Sequence, residues 1–447
     1  MLGSEFVEER IARAVELSNA DEVQTVLVAQ DYALTRFANN IIHQNVSEKN
    51  GTMTISAIVG RRTGKAATND LSDAGLAKAA ERALSHAKSS QADPNYPGLP
   101  ARQSFEAVDA FDSAVESCDP DLRADAVGTV CARAKEQGLK AYGAYSTITT
   151  ETAVGNSKGV SAYHSGTRAI LHVTVAGDNG SSMSESASWR LADIDAESVG
   201  RAAIERALRA QDPKLIEPGK YDVVLGPYAV MDIVNNLNFT GVSAKHVQEG
   251  SSWMVGRMGK QVMSPLITIW DDGCDLGGSP LPFDFEGTPR RQVSIVHEGR
   301  VIGPVYDRQT ALLSGTESTG HAPPPDFFWF IGPIALHLFM APGSSSLEEL
   351  IRSTNSGLYI NSFHYTRTVH PRDCIITGMT RNGVWKIEDG QLTHPVKDLR
   401  FTQSYIEALA NVTHVGSEKK LGISETGSSL SVPALKITGF NFTGVTV

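Results

Sequence analysis

The sequence has little cysteine and no cysteine pair. Its 447 residues include 4 cysteines, which lie far apart and form no CxxC motif. In a chain of this length, isolated cysteines are typical of reduced thiols in the cytoplasm rather than of a disulfide scaffold. We therefore expect a cytoplasmic protein without a cysteine-rich metal site. The cysteines are Cys118, Cys131, Cys274 and Cys374.

Long apolar runs are also missing. Residues 1–22 mix acidic and apolar positions in the pattern of an amphipathic helix, and they lack the continuous apolar core of a signal peptide. No segment approaches the ~20 apolar residues that cross a bilayer. The most apolar run, residues 327–331, is bounded by Asp326 and Gly332-Pro333, which favours a buried strand. The pattern predicts no membrane association.

The chain has fewer basic than acidic residues. Lys and Arg together number 40 against 50 Asp and Glu, which gives a net charge of −10. Affinity for nucleic acid depends mainly on Lys and Arg neutralising phosphates, so this balance predicts no nucleic-acid partner. A chain of 447 residues is too long to fold around one ordinary hydrophobic core, so we expect two or three domains.

The N-terminal half contains two similar units. Each begins with a helical pattern, near residues 4–18 and 120–137, and continues with strand-like segments. Each then ends in an alanine-rich helix, near residues 74–86 and 195–209. We interpret them as diverged copies of a helix–strands–helix unit, joined by a proline-rich linker over residues 91–102.

A hairpin signal lies within the first copy. Residues 31–39 and 51–59 have strand-like patterning, and the segment Ser47 to Gly51 between them ends in Asn-Gly. Because Asn-Gly is the strongest short-range hairpin signal, we expect the turn there.

The C-terminal half has a different pattern. Helical periodicity ends near residues 213–220, apart from short helices near 227–237 and 347–353, and strand-like segments with Gly and Pro turns follow. The change predicts an α+β protein of two domains. We expect an N-terminal α+β domain over residues 1–215 and a β-rich, barrel- or sandwich-like domain over residues 216–447.

The residues themselves indicate no catalytic group. A catalytic zinc site is typically marked by two His on one helix face with a Glu beside them. His297-Glu298 is the one His-Glu pair, but no second His follows within a turn. It lies between two strand-like segments, which predicts a hairpin tip. The GxSxG match at residues 155–159 lies in a turn between two strand-like segments, so no nucleophile elbow is indicated. Cys374 is interpreted as a buried, inert strand cysteine.

Two histidine clusters are candidate ligand sets for a metal ion. His246 and Glu249 are three residues apart and could share a helix face, but two groups are too few for a site. His364 and His370 accompany Asp373, yet six residues of strand separate the two His by about 20 Å. A solvated surface is the favoured interpretation of both clusters.

Short motifs spread through the C-terminal half resemble, in order and spacing, those of the TldD/PmbA family, on its PmbA (TldE) side. Residues 36–43 extend the resemblance more loosely into the N-terminal half. The motifs are Asp271-Asp272-Gly273, Gly278-Ser279, Phe283-Asp284-Phe285-Glu286-Gly287, Glu298-Gly299-Arg300-Val301-Ile302-Gly303, Tyr306-Asp307, Thr310-Ala311, Ser318-Thr319-Gly320-His321-Ala322, Glu348-Glu349-Leu350-Ile351, Gly357-Leu358-Tyr359-Ile360, Glu388-Asp389-Gly390 and Pro395-Val396.

The resemblance implies a part in a cytosolic peptidase system. In that family a zinc-bearing TldD subunit pairs with a PmbA/TldE subunit. The pair is implicated in degrading unfolded or small peptides, maturing a peptide antibiotic and modulating DNA gyrase toxicity. TldD-type members carry HExxxH on a helix and a Cys ligand near the C-terminus. Their HExxxH positions correspond to Asn235, Asn236 and Thr240, and residues 415–418 hold no cysteine.

The resemblance therefore implies a non-catalytic PmbA/TldE-type subunit, with no metal in this chain and zinc in a TldD-type partner. Two alternatives stay open. One is an active metallopeptidase with a divergent site built from His246, Glu249 or His321, the last standing where the family has Asn. The other is a non-enzymatic, peptide-binding homodimer. Apolar runs over residues 331–340 and 374–379 predict a dimer with an obligate-sized interface of ~2,000 Å².

Overall fold

The computed structural model describes residues 1–326, 331–424 and 427–445. It is 25% helix and 42% strand, with one sheet in the N-terminal part and a larger one in the C-terminal part, so the expected α+β class is confirmed. The strand predicted over residues 327–331 falls largely outside the described residues. Ile331, the one described residue of that run, is buried.

The N-terminal part forms a six-stranded antiparallel sheet with the order β3-β2-β1-β4-β5-β6. Each half contributes three consecutive strands flanked by helices, and β1 pairs with β4 where the halves meet. Its strands are β1 (Glu22–Ala38), β2 (Ile41–Val59), β3 (Arg62–Thr68), β4 (Lys140–Asn156), β5 (Ser161–Ala176) and β6 (Ser181–Ser188). Its helices are α1 (Ser4–Glu16), α2 (Asp73–Ser89), α3 (Ser113–Glu116), α4 (Pro120–Glu136) and α5 (Ala196–Arg209), with a 3₁₀ turn at Leu191–Asp193.

The closing helices of the two units begin at capping residues. The Ser72 side chain accepts a hydrogen bond from the Gly75 amide at the start of α2, and Asp195 accepts one from Ser198 at the start of α5. Small side chains then let α2 lie directly on the sheet, because a Cβ at Gly64 of β3 would be 2.1 Å from the Ala87 amide nitrogen.

The first hairpin turns at a different place from the one predicted. The prediction of a turn over Ser47 to Gly51 is wrong, because these residues lie inside β2, where Asn50 pairs with Gln30. The chain turns at Asn39 and Asn40, whose φ angles of 51° and 63° are left-handed. Asn tolerates that conformation, and the pairing of two long strands outweighs the local Asn-Gly preference.

The C-terminal part contains an eleven-stranded sheet. Its order is β10-β9-β8-β11-β17-β15-β13-β12-β7, with β14 on β13 and β16 on β17. Because β7 also pairs with β17, the strands β17, β15, β13, β12 and β7 close into a barrel. The strands are β7 (Gly219–Leu225), β8 (Ile269–Asp271), β9 (Val293–His297), β10 (Arg300–Val301), β11 (His337–Met340), β12 (Ser356–His370), β13 (Ile375–Glu388), β14 (Gln391–Pro395), β15 (Leu399–Ser404), β16 (Val412–Ile423) and β17 (Ser429–Val445).

Short helices punctuate this sheet. The apolar helix α6 follows β7 and packs against β12 and β17. Two helices were not predicted, α8 and α10, and side chains of Asp307 and Ser404 cap them. The helices are α6 (Pro227–Leu237), α7 (Ala244–Gln248), α8 (Arg308–Ser314), α9 (Leu347–Arg352) and α10 (Tyr405–Ala410), with a π turn at Asn238–Val242 and a 3₁₀ turn at Pro371–Asp373.

The two sheets contact each other without sharing a strand pair within the described residues. Val26 and Val154 of the first sheet pack with Phe283 and Phe285 in one apolar cluster, and the Gln24 side-chain amide donates to the Phe285 carbonyl oxygen at 2.9 Å. No helix in the described part of the chain has the length and apolarity to cross a membrane. The domain boundary near residue 215 stays a prediction.

Candidate functional site

The residues predicted to stand at the family's HExxxH positions lie at and just after the end of α6, beside a cavity of about 690 Å³. Asn235 and Asn236 line this cavity from the last turn of the helix, and Thr240 lies in the π turn that follows. We call this space the α6 cavity. Its lining residues are Met183, Glu185, Tyr228, Met231, Asp232, Asn235, Asn236, Ser362, Phe363, His364, Tyr365, Thr366, Arg367, Gly422, Ile423, Ser424 and Leu430.

Two of the three residues expected at the HExxxH positions, Asn236 and Thr240, form hydrogen bonds within the protein. The Asn236 side-chain amide donates to the Asp232 carbonyl oxygen at 2.9 Å and to its Oδ1 at 3.1 Å. The Thr240 hydroxyl donates to the Asn236 carbonyl oxygen at 2.6 Å and lies 3.2 Å from the Cys374 sulfur. Asn235 Oδ1 is buried and has no hydrogen-bond partner among the described residues.

Asp232 is the polar centre of this site, and the sequence analysis missed it. Its Oδ1 accepts from the Tyr405 hydroxyl at 2.7 Å and its Oδ2 accepts from the Thr366 hydroxyl at 2.7 Å. Burial raises the pKa of the Asp232 carboxyl, and these donors only partly offset that effect. The signal that could have found it is its position on α6, one turn before Asn235 and Asn236.

The donor set of the α6 cavity does not fit a catalytic zinc ion. Such a site needs three ligands, usually neutral His, carboxylate or thiolate. Asn235 offers an amide oxygen, while Asn236 and Thr240 are held in bonds to the protein itself. Cys374 is fully buried, and burial raises its thiol pKa to about 12, so it remains protonated. In residues 1–326, 331–424 and 427–445, no group of three or more His, Cys, Asp or Glu could hold a metal ion.

The family's cysteine position was expected around residues 415–418. These residues lie on β16, with Val415 buried and Gly416 beside β17. A later residue of the same strand approaches α6, because a Cβ at Gly422 would be 2.4 Å from the Met231 sulfur. Where β16 approaches α6 most closely, the strand therefore has a glycine, which offers no side chain as a ligand.

The structure places His246, Glu249 and His321 in three different environments. His246 is partly buried on α7, and burial lowers its pKa, whereas Glu249 is exposed at the end of that helix. His321 is fully buried and lies 2.9 Å, through Nε2, from Asp271 Oδ1. A cleft site built from these three residues stays a prediction.

The pair of His321 and Asp271 organises a buried polar cluster. Oδ2 of Asp271 accepts from the His337 backbone amide at 2.7 Å, and His321 Nδ1 lies 2.9 Å from the Thr319 carbonyl oxygen. Burial acts to raise the pKa of the Asp271 carboxyl, but the adjacent His321 more than offsets it and holds that pKa below its usual range. The pair therefore braces the segment before β11 against β8.

The Phe283 to Gly287 motif also has a structural role. Asp284 Oδ1 accepts from the amides of Glu286 and Thr288 at 3.0 and 2.8 Å, and its Oδ2 accepts from Ala322 at 3.0 Å. Burial raises the pKa of the Glu286 carboxyl to about 8, and the nearby Asp284 and Asp307 carboxylates add to the shift. The carboxylates of this motif hold loops together rather than converging on an open cavity.

The remaining histidine candidates are separated. His364 lines the α6 cavity, whereas His370 pairs at 3.1 Å with Asp373, and both of those side chains are about half exposed. His297-Glu298 forms the predicted hairpin tip between β9 and β10, with left-handed φ angles of 47° at Glu298 and 76° at Gly299. Cys374 is buried as expected, but it adopts a left-handed conformation just before β13 rather than lying in the strand.

Comparison with protein families matches most of the chain. Residues 26–87 match domain 1 of the PmbA/TldA metallopeptidases, residues 95–211 match their central domain, and residues 218–444 match their C-terminal domain.

Individual proteins named as metalloproteases or TldE are similar to this chain at low sequence identity. The chain is 23% identical to the metalloprotease PmbA of Escherichia coli O157:H7 over 97% of its own length and 96% of that protein. It is 28% identical to a metalloprotease of Methanothermobacter thermautotrophicus over 54% of its own length. The chain spans about half the length of that protein and of similar TldD homologues. Its fold matches TldE from Thermococcus kodakarensis with a TM-score of 0.89 at 20% identity, over 98% of this chain and 100% of that one.

Proposed function

Because the chain belongs to the PmbA/TldD family of metallopeptidases, we propose that it is a non-catalytic, PmbA/TldE-type subunit that assists a zinc-bearing TldD-type partner in hydrolysing peptides. The observation that carries the proposal is the hydrogen bonding of Asn236 and Thr240. These side chains occupy two of the three HExxxH positions, and both bind the protein's own groups.

The α6 cavity still has the size of a ligand site. A volume of about 690 Å³ falls within the range of pockets that bind small molecules and short peptides. Asp232 joins three elements around it, since it bonds Tyr405 of α10, Thr366 of β12 and Asn236 of α6. In this proposal the cavity holds or guides part of a peptide, while bond cleavage takes place in the partner.

The rim of the α6 cavity supports an interface with that partner. The end of β12 carries Tyr365 and Val369, whose side chains are 66% and 57% exposed. Large apolar or aromatic side chains at such exposure are typical of protein contact sites. The apolar runs that first suggested a dimer, residues 331–340 and 374–379, are instead mostly internal. The proposed dimer therefore rests on the β12 rim, with an interface of ~2,000 Å² or more.

The cell compartment belongs to the same proposal. All four cysteines are free, and two of them, Cys131 and Cys374, are buried. This arrangement agrees with a reducing environment, so we place the assembly in the cytoplasm.

Metal analysis and complex formation test the proposal. The chain purified alone should contain less than about a tenth of an equivalent of zinc after dialysis, because no three-ligand set is present. Light scattering should show a dimer, and mixing with a zinc-bearing TldD-type protein should give a mixed complex. Tyr365→Ser with Val369→Ser should weaken that complex, whereas Ile41→Ser, an exposed apolar residue in the first sheet, should not. Stoichiometric zinc that is lost on His246→Ala or His321→Ala would overturn the proposal, as would a strict monomer at micromolar concentration that forms no mixed complex.

A further inference from the structure

A second cavity, of about 330 Å³, lies between the two sheets. We call it the intersheet cavity. Strands β1, β4 and β5 form one wall, and loops around residues 279–285 and 324–326 with the start of β11 form the other. Its lining residues are Val28, Gln30, Ala110, Ile148, Thr150, Thr152, His164, Gly166, Thr167, Arg168, Ser279, Pro280, Leu281, Phe285, Pro324, Pro325, Asp326, Leu336, His337 and Gly427.

Nitrogen-bearing side chains converge on this space from both walls. His164, Gly166 and Arg168 occupy alternate positions of β5, so all three face the same side of the sheet. Gly166 leaves room between the other two, since a Cβ there would lie 3.2 Å from His164 Nε2. His337 approaches from β11 on the opposite wall.

Each of these side chains has a buried nitrogen without a partner. His164 Nε2, Arg168 Nε and His337 Nε2 are all buried, and none has a hydrogen-bond partner in the described part of the chain. The two imidazoles are 8% and 6% exposed. The His164 ring is held by a hydrogen bond to the Pro280 backbone. Buried polar groups normally have a hydrogen-bond partner, so three unpartnered nitrogens in one cavity favour a polar ligand there.

The charge in the intersheet cavity favours an anion. No carboxylate among the described residues pairs with Arg168, and burial lowers the pKa of its guanidinium. Burial also lowers the pKa of His164 and, together with the Arg290 charge, brings that of His337 to about 3. One acid, Asp326, lies on the cavity lining. A bound anion would stabilise the guanidinium, whereas a metal ion coordinated by the two imidazoles would be repelled by it.

Apolar side chains line a second part of the intersheet cavity, beside polar residues such as Gln30, Thr150 and Thr152. Val28 and Ile148 contribute from the first sheet, and Leu281, Phe285 and Leu336 contribute from the second wall. A ligand that satisfies both parts carries a carboxylate at one end and an aliphatic or aromatic group at the other. A volume of about 330 Å³ is at the small end of ligand sites, so it suits one or two amino-acid residues.

We infer that the intersheet cavity binds the free C-terminal carboxylate of a short apolar peptide, with Arg168 as the charged contact to the carboxylate and His164 and His337 as flanking contacts to the peptide's amide groups. The carboxylate follows from the geometry. Its assignment to a peptide rests on the proposed function. A carboxylate from an acidic side chain has the same chemistry, and the experiment below separates the two sources.

Titration calorimetry on the full chain tests this inference. The probes are N-acetyl-Leu-Leu as the free acid and as the C-terminal amide, together with N-acetyl-aspartate amide, which supplies a side-chain carboxylate. We expect the free acid to bind at least about tenfold more tightly than either other probe, since it alone combines a charge-assisted carboxylate contact with two apolar side chains. Equal binding of acid and amide would overturn the inference, and tighter binding of the aspartate probe would overturn its peptide-terminus part.

Matched variants locate the binding. Arg168→Gln should weaken binding of the free acid at least about tenfold. Arg62→Gln, at an exposed position of β3 in the same sheet, should leave that binding unchanged. If Arg168→Gln does not fold by circular dichroism, His164→Asn takes its place. That variant can keep the bond to Pro280 but loses Nε2, and His172→Asn on the same strand is its control. Undiminished binding in the folded cavity variant would overturn the inference.

The calorimetry requires no partner. If the proposed subunit role is wrong while the cavity is assigned correctly, the lone chain will bind the free acid yet form no complex with a zinc-bearing relative. If the cavity assignment is wrong, binding of the acid will fail regardless of complex formation.

Discussion

The Thr240 hydroxyl lies 3.2 Å from the Cys374 sulfur, at the position where the second histidine of the HExxxH motif would lie. The hydroxyl also donates to the Asn236 carbonyl oxygen at 2.6 Å. A side chain that closes the end of its own helix in this way is not available to a metal ion. The same contact links the π turn after α6 to the segment before β13. The residue that we predict to stand at the family's metal position therefore has a packing role here.

Introducing the family's HExxxH motif should not create peptidase activity. In the triple variant Asn235→His, Asn236→Glu, Thr240→His, only the first imidazole would face the α6 cavity, because residue 240 is buried away from it. β16 would still present Gly422 rather than a thiolate, and no supporting groups would orient the ligands. We expect no chelator-sensitive peptide hydrolysis by the variant alone, measured with a fluorogenic peptide. The control is the corresponding wild-type chain. Hydrolysis that depends on added zinc would show that the ligand set is the sole missing element.

The rate at which each cysteine thiol is alkylated should be lower where the thiol is more deeply buried. Cys374 is fully buried with a thiol pKa raised to about 12, whereas Cys118 is partly exposed. Because the thiolate is the reactive form, we expect Cys118 to be alkylated at least about tenfold faster than Cys374 in the native protein at pH 8. Mass spectrometry after timed iodoacetamide treatment measures both rates. Equal rates in the native protein would contradict the packed arrangement around Thr240, and equal rates in guanidinium serve as the control.

The buried pair of His321 and Asp271 should matter for stability. His321→Leu leaves the Asp271 carboxylate buried without its side-chain hydrogen-bond partner, which should lower the free energy of unfolding by about 3 kcal/mol. His321→Asn should be less damaging, because an amide can still donate to the carboxylate. The matched control is His370→Leu, which breaks a half-exposed pair with Asp373 and should change stability by less than about 1 kcal/mol. Urea denaturation measures all three, and similar losses for His321→Leu and His370→Leu would refute the ranking.

Glu286 should make stability depend on pH. Its carboxyl has a folded-state pKa of about 8 against an ordinary value of 4.5. Between these values the folded protein keeps a proton that the unfolded chain releases, so stability falls as pH rises, by up to about 1.4 kcal/mol per pH unit.

The variant Glu286→Gln removes this titration and can still accept from the Arg308 amide. We therefore expect its stability curve between pH 5 and 8 to be flatter than that of the wild-type chain. Glu317→Gln, at an exposed ion pair with Arg291, should keep the wild-type slope. Thermal unfolding across this range measures both, and identical slopes for Glu286→Gln and wild type would exclude the raised pKa.

The sequence predicted the class of fold and its duplicated N-terminal units because helix caps and alternating strands are local signals. It placed the first turn wrongly, since the alignment of β1 with β2 is decided by pairing over their whole length rather than by Asn50-Gly51. It missed α10 because that helix spans only Tyr405–Ala410, shorter than two turns, and lies among strands.

The sequence likewise predicted some residues of the candidate site and missed others. Alignment to a family motif identified Asn235, Asn236 and Thr240, and the structure places the two Asn on a cavity wall. Asp232 was missed because its partners, Tyr405 and Thr366, are more than a hundred residues away. The intersheet cavity could not be predicted either. His164 and Arg168 read as ordinary polar positions of an alternating strand until the second sheet covers them.

Peptide hydrolysis with and without a zinc-bearing TldD-type subunit tests the central claim most directly. An unfolded peptide substrate is incubated with this chain alone, with the partner alone and with both, each with and without a chelator. The account predicts no hydrolysis by this chain alone and chelator-sensitive hydrolysis by the mixture at a rate above that of the partner alone. Chelator-sensitive hydrolysis by this chain alone would contradict the account and establish a divergent metallopeptidase, and a mixture no faster than the partner alone would contradict the subunit role.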